Sequence, residues 1–141
     1  QLLAPDPTKS YDKKSDRVSG TVRDLKLGAR RVGVPMVLVT QLNRGVENRN
    51  PPRPRLSDLR EGGEDYADKV VLVYRPEHYG ITRLSDGSPS ENYGEALVVK
   101  HKDGPTDNVE LAFIKRFSFW CELSDREDHM PAMEPDDEMP F

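Results

Sequence analysis

Residues 34–61, VPMVLVTQLNRGVENRNPPRPRLSDLRE, join an apolar run, a lone amide, a basic loop and a short helix in one uninterrupted stretch. VPMVLVT is rich in β-branched residues and free of charge, which predicts a buried central strand covered on both faces of a parallel sheet. Gln41 follows it directly. In open α/β sheets ligands gather outside the carboxyl ends of the strands, so an amide there either senses a bound group or satisfies loop backbone. The loop over residues 42–54 carries Arg44, Arg49, Arg53 and three prolines. Such a segment suits either a phosphate contact or a solvated, flexible connection. Arg60, Glu61, Gly62 and Gly63 then form a turn whose paired glycines let successive N–H groups face one anion, or simply end the helix.

Upstream of this stretch, residues 5–14 read as a polar surface loop, and Ser15 or Asp16 is placed to cap a helix. Val18, Val22, Leu25, Ala29 and Val32 recur at spacings of three and four, which is one helical face. Gly33 stops that helix before Val34 begins the strand, the αβ half of a right-handed βαβ unit.

Downstream, KVVLVYR at residues 69–75 predicts a further buried strand, and residues 76–93 a polar excursion with hairpin or flexible-loop character. EALVVKHK at 95–102 predicts a strand that places Val98, Lys100 and Lys102 on one face and Leu97, Val99 and His101 on the other. Two neighbouring lysines at a strand end repel each other unless an anion lies between them. The turn DGPTD, the return strand NVELAFIK and the closing segment FSFWCEL complete a sheet.

At 141 residues the chain is one domain at most, and its formal charge of −4 does not by itself suggest nucleic acid. The charge is unevenly spread. Residues 122–141 hold eight acids against one arginine, a net of −7, which leaves +3 on residues 1–121. Cys121 stands alone, which excludes an internal disulfide and suits an inert core thiol. Neither a targeting segment nor a long apolar span is visible, in keeping with a cytoplasmic protein and no membrane partner.

TQLNR at residues 40–44 and RPRLSDLRE at 53–61 resemble, in unbroken register, the S-Q-L-N-R and R-P-x-x-S-D-L-R-E motifs of the bacterial replicative DNA helicases of the DnaB type. The resemblance runs from Gln1 to about Leu123. It implies an α/β chain: a partial RecA-like P-loop NTPase fold over residues 1–123, with a mostly parallel central sheet and antiparallel edge strands. Residues 124–141 are expected to form a disordered acidic tail. Gln1, Leu2 and Leu3 match the end of the Walker B strand, whose metal-linked aspartate would lie three residues earlier. No G-x-x-x-x-G-K-[ST] loop occurs, so this chain alone is expected not to hydrolyse ATP, and it supplies no metal ligand.

The roles implied by the resemblance follow its motifs. In an intact parent, ATP and Mg²⁺ would bind mostly to residues upstream. Gln41 would sense the γ-phosphate, while Arg44, Arg60, Glu61, Gly62 and Gly63 would hold single-stranded DNA in the channel of a homo-hexamer. Lys100 and Lys102 would complete the ATP site of a neighbouring subunit, matching the family's K-x-R-N-G-P.

Two departures bear on these roles. REGGEDYAD at residues 60–68 is two residues shorter than the family's run and sets Glu64 and Asp65 beside the glycines, where carboxylates repel phosphate unless turned away. Lys102 stands where an arginine finger is expected. A lysine offers a point charge instead of a planar fork, which predicts slower turnover or another finger, with Arg75 and Arg116 as candidates.

Asp136, Asp137, Pro140 and Phe141 resemble the acidic tip of bacterial single-stranded-DNA-binding protein, a peptide ligand for replication partners. A solubilising tail is the other option. Primase, a helicase loader and other replisome proteins are the partners implied. Two competing classes remain: a non-catalytic nucleic-acid-binding or assembly module with a RecA-like half-fold, and another RecA-like ATPase such as a recombinase.

Overall fold

Nineteen residues, Lys14–Val32, wind into the single α-helix among the described residues, α1. The structure is a computed structural model that describes residues 14–59 and 64–125. α1 ends where the sequence places its stop: Gly33 takes a left-handed φ of +71°, and the Val34 N–H donates to the Ala29 carbonyl at 3.1 Å. That bond joins the residue two past the helix to the fourth from its end, closing the last turn. The expected apolar face is less buried than its spacing suggests. Val18, Val22, Leu25 and Ala29 are half-buried and Val32 is exposed.

Four strands follow: β1 (Lys69–Tyr74), β2 (Tyr93–His101), β3 (Asn108–Ile114) and β4 (Phe119–Glu122). They form one antiparallel sheet in chain order, with Leu111 opposite Glu122 and Ile114 opposite Phe119 in the β3–β4 pair. The short turns from β2 to β3 and from β3 to β4 return the chain beside itself, which only an antiparallel ladder allows. The expected strands at 69–75, 95–102 and 108–115, and the closing segment, are therefore present. No parallel pair forms among the described residues.

Two expected strands are arranged differently among the described residues. Among the described residues the run at 34–40 joins no ladder, and it lies exposed, Val37 at 91 % and Val39 at 84 %. A β-branched sequence favours extended backbone, but a strand also needs a neighbour to receive its hydrogen bonds, and no described strand flanks this run. β1, expected to be buried, buries one face only: Val70, Leu72 and Tyr74 point inward while Val71 and Val73 face solvent. Alternation of this kind marks a sheet with one covered face.

The chain divides into two compact units, the first comprising residues up to 72 with 97–107, the second 73–96 with those from 108 onward. Val46, Val70, Leu72 and Leu97 form the buried apolar set of the first unit. The second is centred on Phe113, whose ring lies 4.9 Å from that of Trp120 and carries the Arg75 guanidinium over its face at 3.7 Å. Trp120 lies so close to Gly94 that a Cβ there would sit 2.7 Å from its Cη2 and 3.3 Å from the Tyr74 carbonyl, which explains a glycine in mid-strand.

Also in the second unit, the excursion after β1 is an ordered hairpin. Arg83 bridges Pro89, Asp86 accepts from the Ser88 N–H and hydroxyl, and the buried Ser90 hydroxyl donates to the Ile81 carbonyl. The Lys115 ammonium donates to Glu77. Cys121 is free and half-buried on β4. Leu123–Asp125 closes the described chain as a short 3₁₀ turn, and the rest of the expected tail lies outside the described residues.

Candidate functional site

The predicted functional residues on the first unit radiate from Gln41. Its side chain is exposed at the end of the apolar run and has no partner among the described residues. Leu42, immediately after it, forms an antiparallel bridge with Leu59, so residues 42–59 close on themselves. The loop is built on internal contacts. Arg44–Asn48 is a 3₁₀ turn capped by Asn43, whose Oδ1 accepts from the Gly45 N–H at 3.1 Å. Val46 within it is 3 % exposed, and Pro52 and Pro54 are buried.

The binding node of that loop is a pair the sequence did not single out. The Arg49 guanidinium lies flat against the Asp58 carboxylate, Nη2 donating to Oδ1 at 2.6 Å and Nη1 to Oδ2 at 2.9 Å. Nη1 also donates to the Arg53 carbonyl at 3.0 Å. Asp58, its side chain 8 % exposed, accepts in addition from the Arg55 N–H at 2.7 Å through Oδ2 and from the Asn43 N–H at 2.7 Å through its carbonyl. Arg49 is thus engaged with a carboxylate. Arg44 stays exposed with no side-chain partner among the described residues. Nine positions in an irregular loop separate Arg49 from Asp58, and no periodicity brings such residues together.

The Arg49 hydrogen bonds hold the Asp58 carboxyl below the ordinary carboxylate range, with the Arg55 N–H adding to the effect against the cost of burial. A depressed folded pKa means that the pair's stabilisation is fully present above the unfolded value, near 3.9, and fades only as pH falls through the lower folded value. The carboxyl carbon of Asp58, followed by NMR, is therefore expected to titrate with a midpoint below about 3.9, and Arg49→Ala is expected to move that midpoint up as unrelieved burial takes over. A midpoint unmoved by the substitution would refute the pairing.

Lys100 and Lys102 are anchored differently. Lys100 lies in β2, half-buried, and its ammonium donates to the Glu64 carbonyl at 2.6 Å and the Asp65 carbonyl at 3.2 Å. Lys102 lies just past the strand, exposed, with its own N–H anchored on the Asp68 carbonyl at 2.9 Å. Alternation predicts a shared face only while the strand continues, and β2 ends at His101. Residues 64–68 are gripped by α1 too: the Lys26 ammonium donates at 2.7 Å to both the Tyr66 carbonyl and Asp68 Oδ1. Lys26 holds the Asp68 carboxyl low, with Lys102 and Arg30 contributing.

Carbonyls satisfy Lys100 without neutralising it, so its charge remains available to an anion. At Gly104, a Cβ would come within 2.5 Å of the His101 ring, which is itself tied to the Pro105 carbonyl at 3.1 Å. The turn after Lys102 is compact for that reason.

Arg60, Glu61, Gly62 and Gly63, the expected DNA turn, lie outside the described residues, as do Gln1, Leu2 and Leu3 and the tip residues Asp136, Asp137, Pro140 and Phe141. Arg75 stacks on Phe113 and Arg116 lies 5.7 Å over the Phe117 ring, both in the second unit. No three acidic, histidine or cysteine side chains among the described residues gather to hold a metal ion, and no helix among them is long and apolar enough to cross a membrane.

Residues 1–121 match the family described as DnaB-like helicase C terminal domain. Among curated proteins, the chain is 37 % identical over 122 residues to the replicative DNA helicase DnaC of Bacillus subtilis (strain 168), covering 85 % of this chain and 26 % of the relative. The same identity and coverage hold for the replicative DNA helicase DnaB of Geobacillus stearothermophilus. The chain spans about a quarter of the length of the curated relatives it matches. Among solved structures, one described as an ATPase domain superposes with a TM-score of 0.72 at 39 % identity, covering 84 % of this chain and 40 % of that one. A DnaB-like replicative helicase, described with its primase interactions, gives 0.70 at 40 % identity, over 82 % of this chain and 27 % of that one.

Proposed function

Since this chain belongs to the DnaB-like helicase C-terminal domain family, we propose that it is the distal part of the RecA-like motor of a hexameric replicative DNA helicase, which hydrolyses ATP to translocate on single-stranded DNA and unwind the duplex at the fork. The observation that carries the proposal is the placement of Gln41, exposed and unpartnered among the described residues at the root of a closed loop that presents Arg44. A phosphate sensor and a DNA-facing cation on one rigid loop are what a motor needs to convert nucleotide state into grip.

In the full-length protein the exposed run at 34–40 would be a central parallel strand, covered on both faces by parts of the fold that these residues do not supply. Its side chains have the apolar surface for that role. Gln41 would then lie at the carboxyl edge of the sheet, within reach of the γ-phosphate. ATP is the substrate. Magnesium would be held by residues other than those described.

Lys100 and Lys102 would act on the neighbouring subunit's nucleotide. Lys102, exposed and with its backbone N–H anchored on the Asp68 carbonyl, is placed to reach outward, while Lys100 sits on carbonyls that fix its direction. Arg60, Glu61, Gly62 and Gly63 would add backbone contacts to DNA beside Arg44. Asp136, Asp137, Pro140 and Phe141 would form a short ligand for replisome proteins in the cytoplasm, with primase and a loader as further partners.

Gln41→Ala in the full-length protein is expected to bind a non-hydrolysable ATP analogue normally yet lose the nucleotide-dependent tightening on single-stranded DNA, an effect of about 5- to 150-fold for a typical coupling. The measurement is DNA affinity with and without the analogue across a salt series. A steep salt slope reports the phosphate contacts. Binding of the unsubstituted protein that ignores nucleotide would instead identify a static nucleic-acid-binding module.

A further inference from the structure

Residues 42–59 form a loop with several internal ties, and three of them meet at Asp58. Its carboxylate receives both arms of the Arg49 guanidinium at 2.6 and 2.9 Å and the Arg55 N–H at 2.7 Å. Its carbonyl receives the Asn43 N–H at 2.7 Å. One residue therefore binds the beginning, the middle and the end of the loop. Leu42 and Leu59, on either side of the closure, are bridged to each other.

The chemistry of this node is that of a brace. A carboxylate 8 % exposed loses most of its water, and only a charged, forked donor replaces that hydration while fixing orientation in a plane. Irregular loops bend when pushed, because each free dihedral absorbs part of a displacement. A loop cross-tied at its centre has few free dihedrals left, and it transmits displacement instead.

We propose that the Arg49–Asp58 pair is a positioning strut that makes residues 42–59 move as one body, so that a shift at Gln41 arrives at Arg44 and Leu59 together. The inference rests on the helicase reading above and deepens it: Arg49 and Asp58 hold each other and set how tightly nucleotide and DNA are coupled. Arg44 takes its place from the 3₁₀ turn that Asn43 caps, and Asn43 is itself held by Asp58. Without the strut, Arg44 would keep its charge and lose its fixed relation to Gln41.

The test uses the full-length protein and four variants: Arg49→Ala, Arg49→Lys, Asp58→Asn, and the exchange of Arg49→Asp with Asp58→Arg. Single-stranded DNA affinity is measured with and without a non-hydrolysable ATP analogue, and the ratio of the two is the readout. Affinity for the analogue alone is measured in parallel. Arg49→Ala and Asp58→Asn are expected to bring the ratio close to one, from a starting value of about 5-fold or more. Their affinity for the analogue should be unchanged. Arg49→Lys keeps the charge and loses the fork, so it should retain only part of the ratio. The exchange should restore more of it than either single substitution.

A staple that merely stabilised the loop would lower DNA affinity equally in both conditions and leave the ratio intact, which overturns the proposal. Arg49→Lys addresses the case in which alanine or asparagine prevents folding, and a full ratio in that variant would equally overturn it. If the unsubstituted protein itself shows a ratio of one, the helicase reading fails and the strut falls with it. If only the variants match the unsubstituted value, the strut alone is refuted.

Discussion

Lys102→Ala in the full-length protein is expected to slow ATP hydrolysis by about two to three powers of ten, with little change in nucleotide affinity. Arginine fingers contribute roughly 10³ to 10⁵ to the rate by neutralising charge that develops on the transferred phosphoryl group, and a lysine, which lacks the planar fork, should supply the lower part of that effect. The structure favours Lys102 over its neighbour for this role. Its side chain is exposed, while the backbone beneath it is fixed by the bond from its N–H to the Asp68 carbonyl at 2.9 Å. Lys100 is held by two carbonyls and is better suited to orient charge than to reach.

Lys102→Arg should then quicken hydrolysis by restoring bidentate contact with phosphate oxygens. The decisive assay mixes subunits. A subunit carrying Lys102→Ala should silence the site of its neighbour and not its own, so mixing it with subunits whose own nucleotide site is disabled should restore hydrolysis that neither shows alone. Rates indifferent to both substitutions would remove Lys102 from the site and return attention to another cation.

The largest stability effect is expected at Phe113. Its ring is buried, packs against Trp120 at 4.9 Å and underlies the Arg75 guanidinium at 3.7 Å, while its N–H donates to the Asn92 carbonyl. Phe113→Ala leaves the backbone bond in place and removes the ring, so the loss is one of packing and cation–π attraction. Burial of that size is worth about 3–5 kcal/mol, a large share of the roughly 5–15 kcal/mol that holds a domain folded. Denaturant unfolding followed by the fluorescence of Trp120, the single tryptophan, measures it directly. Phe113→Leu should cost under half as much, because much of the volume stays filled. A change below about 1 kcal/mol for the alanine variant would mean that the second unit is not centred on this ring.

Local order was legible in the residues because it depends on near neighbours. The helix, its termination at Gly33 by a left-handed turn, and the strands ending in Glu122 follow from spacings of three, four and two and from glycine's freedom of φ. The family was legible too, since TQLNR and SDLRE preserve an order of residues that needs no coordinates to recognise.

The tertiary structure decided what depends on partners. Residues 34–40 have the composition of a central strand and lack a ladder here, because pairing is a property of two segments and composition describes one. The two lysines of KHK are held differently, Lys100 through its ammonium and Lys102 through its backbone N–H. Arg49, a plausible phosphate ligand when counted as charge in a loop, proved to be the partner of Asp58, since an irregular backbone brings residues together by its path and not by a period. The sequence by itself thus determined which segments this protein could form and which family it belongs to, and only the fold decided which charges are free to act.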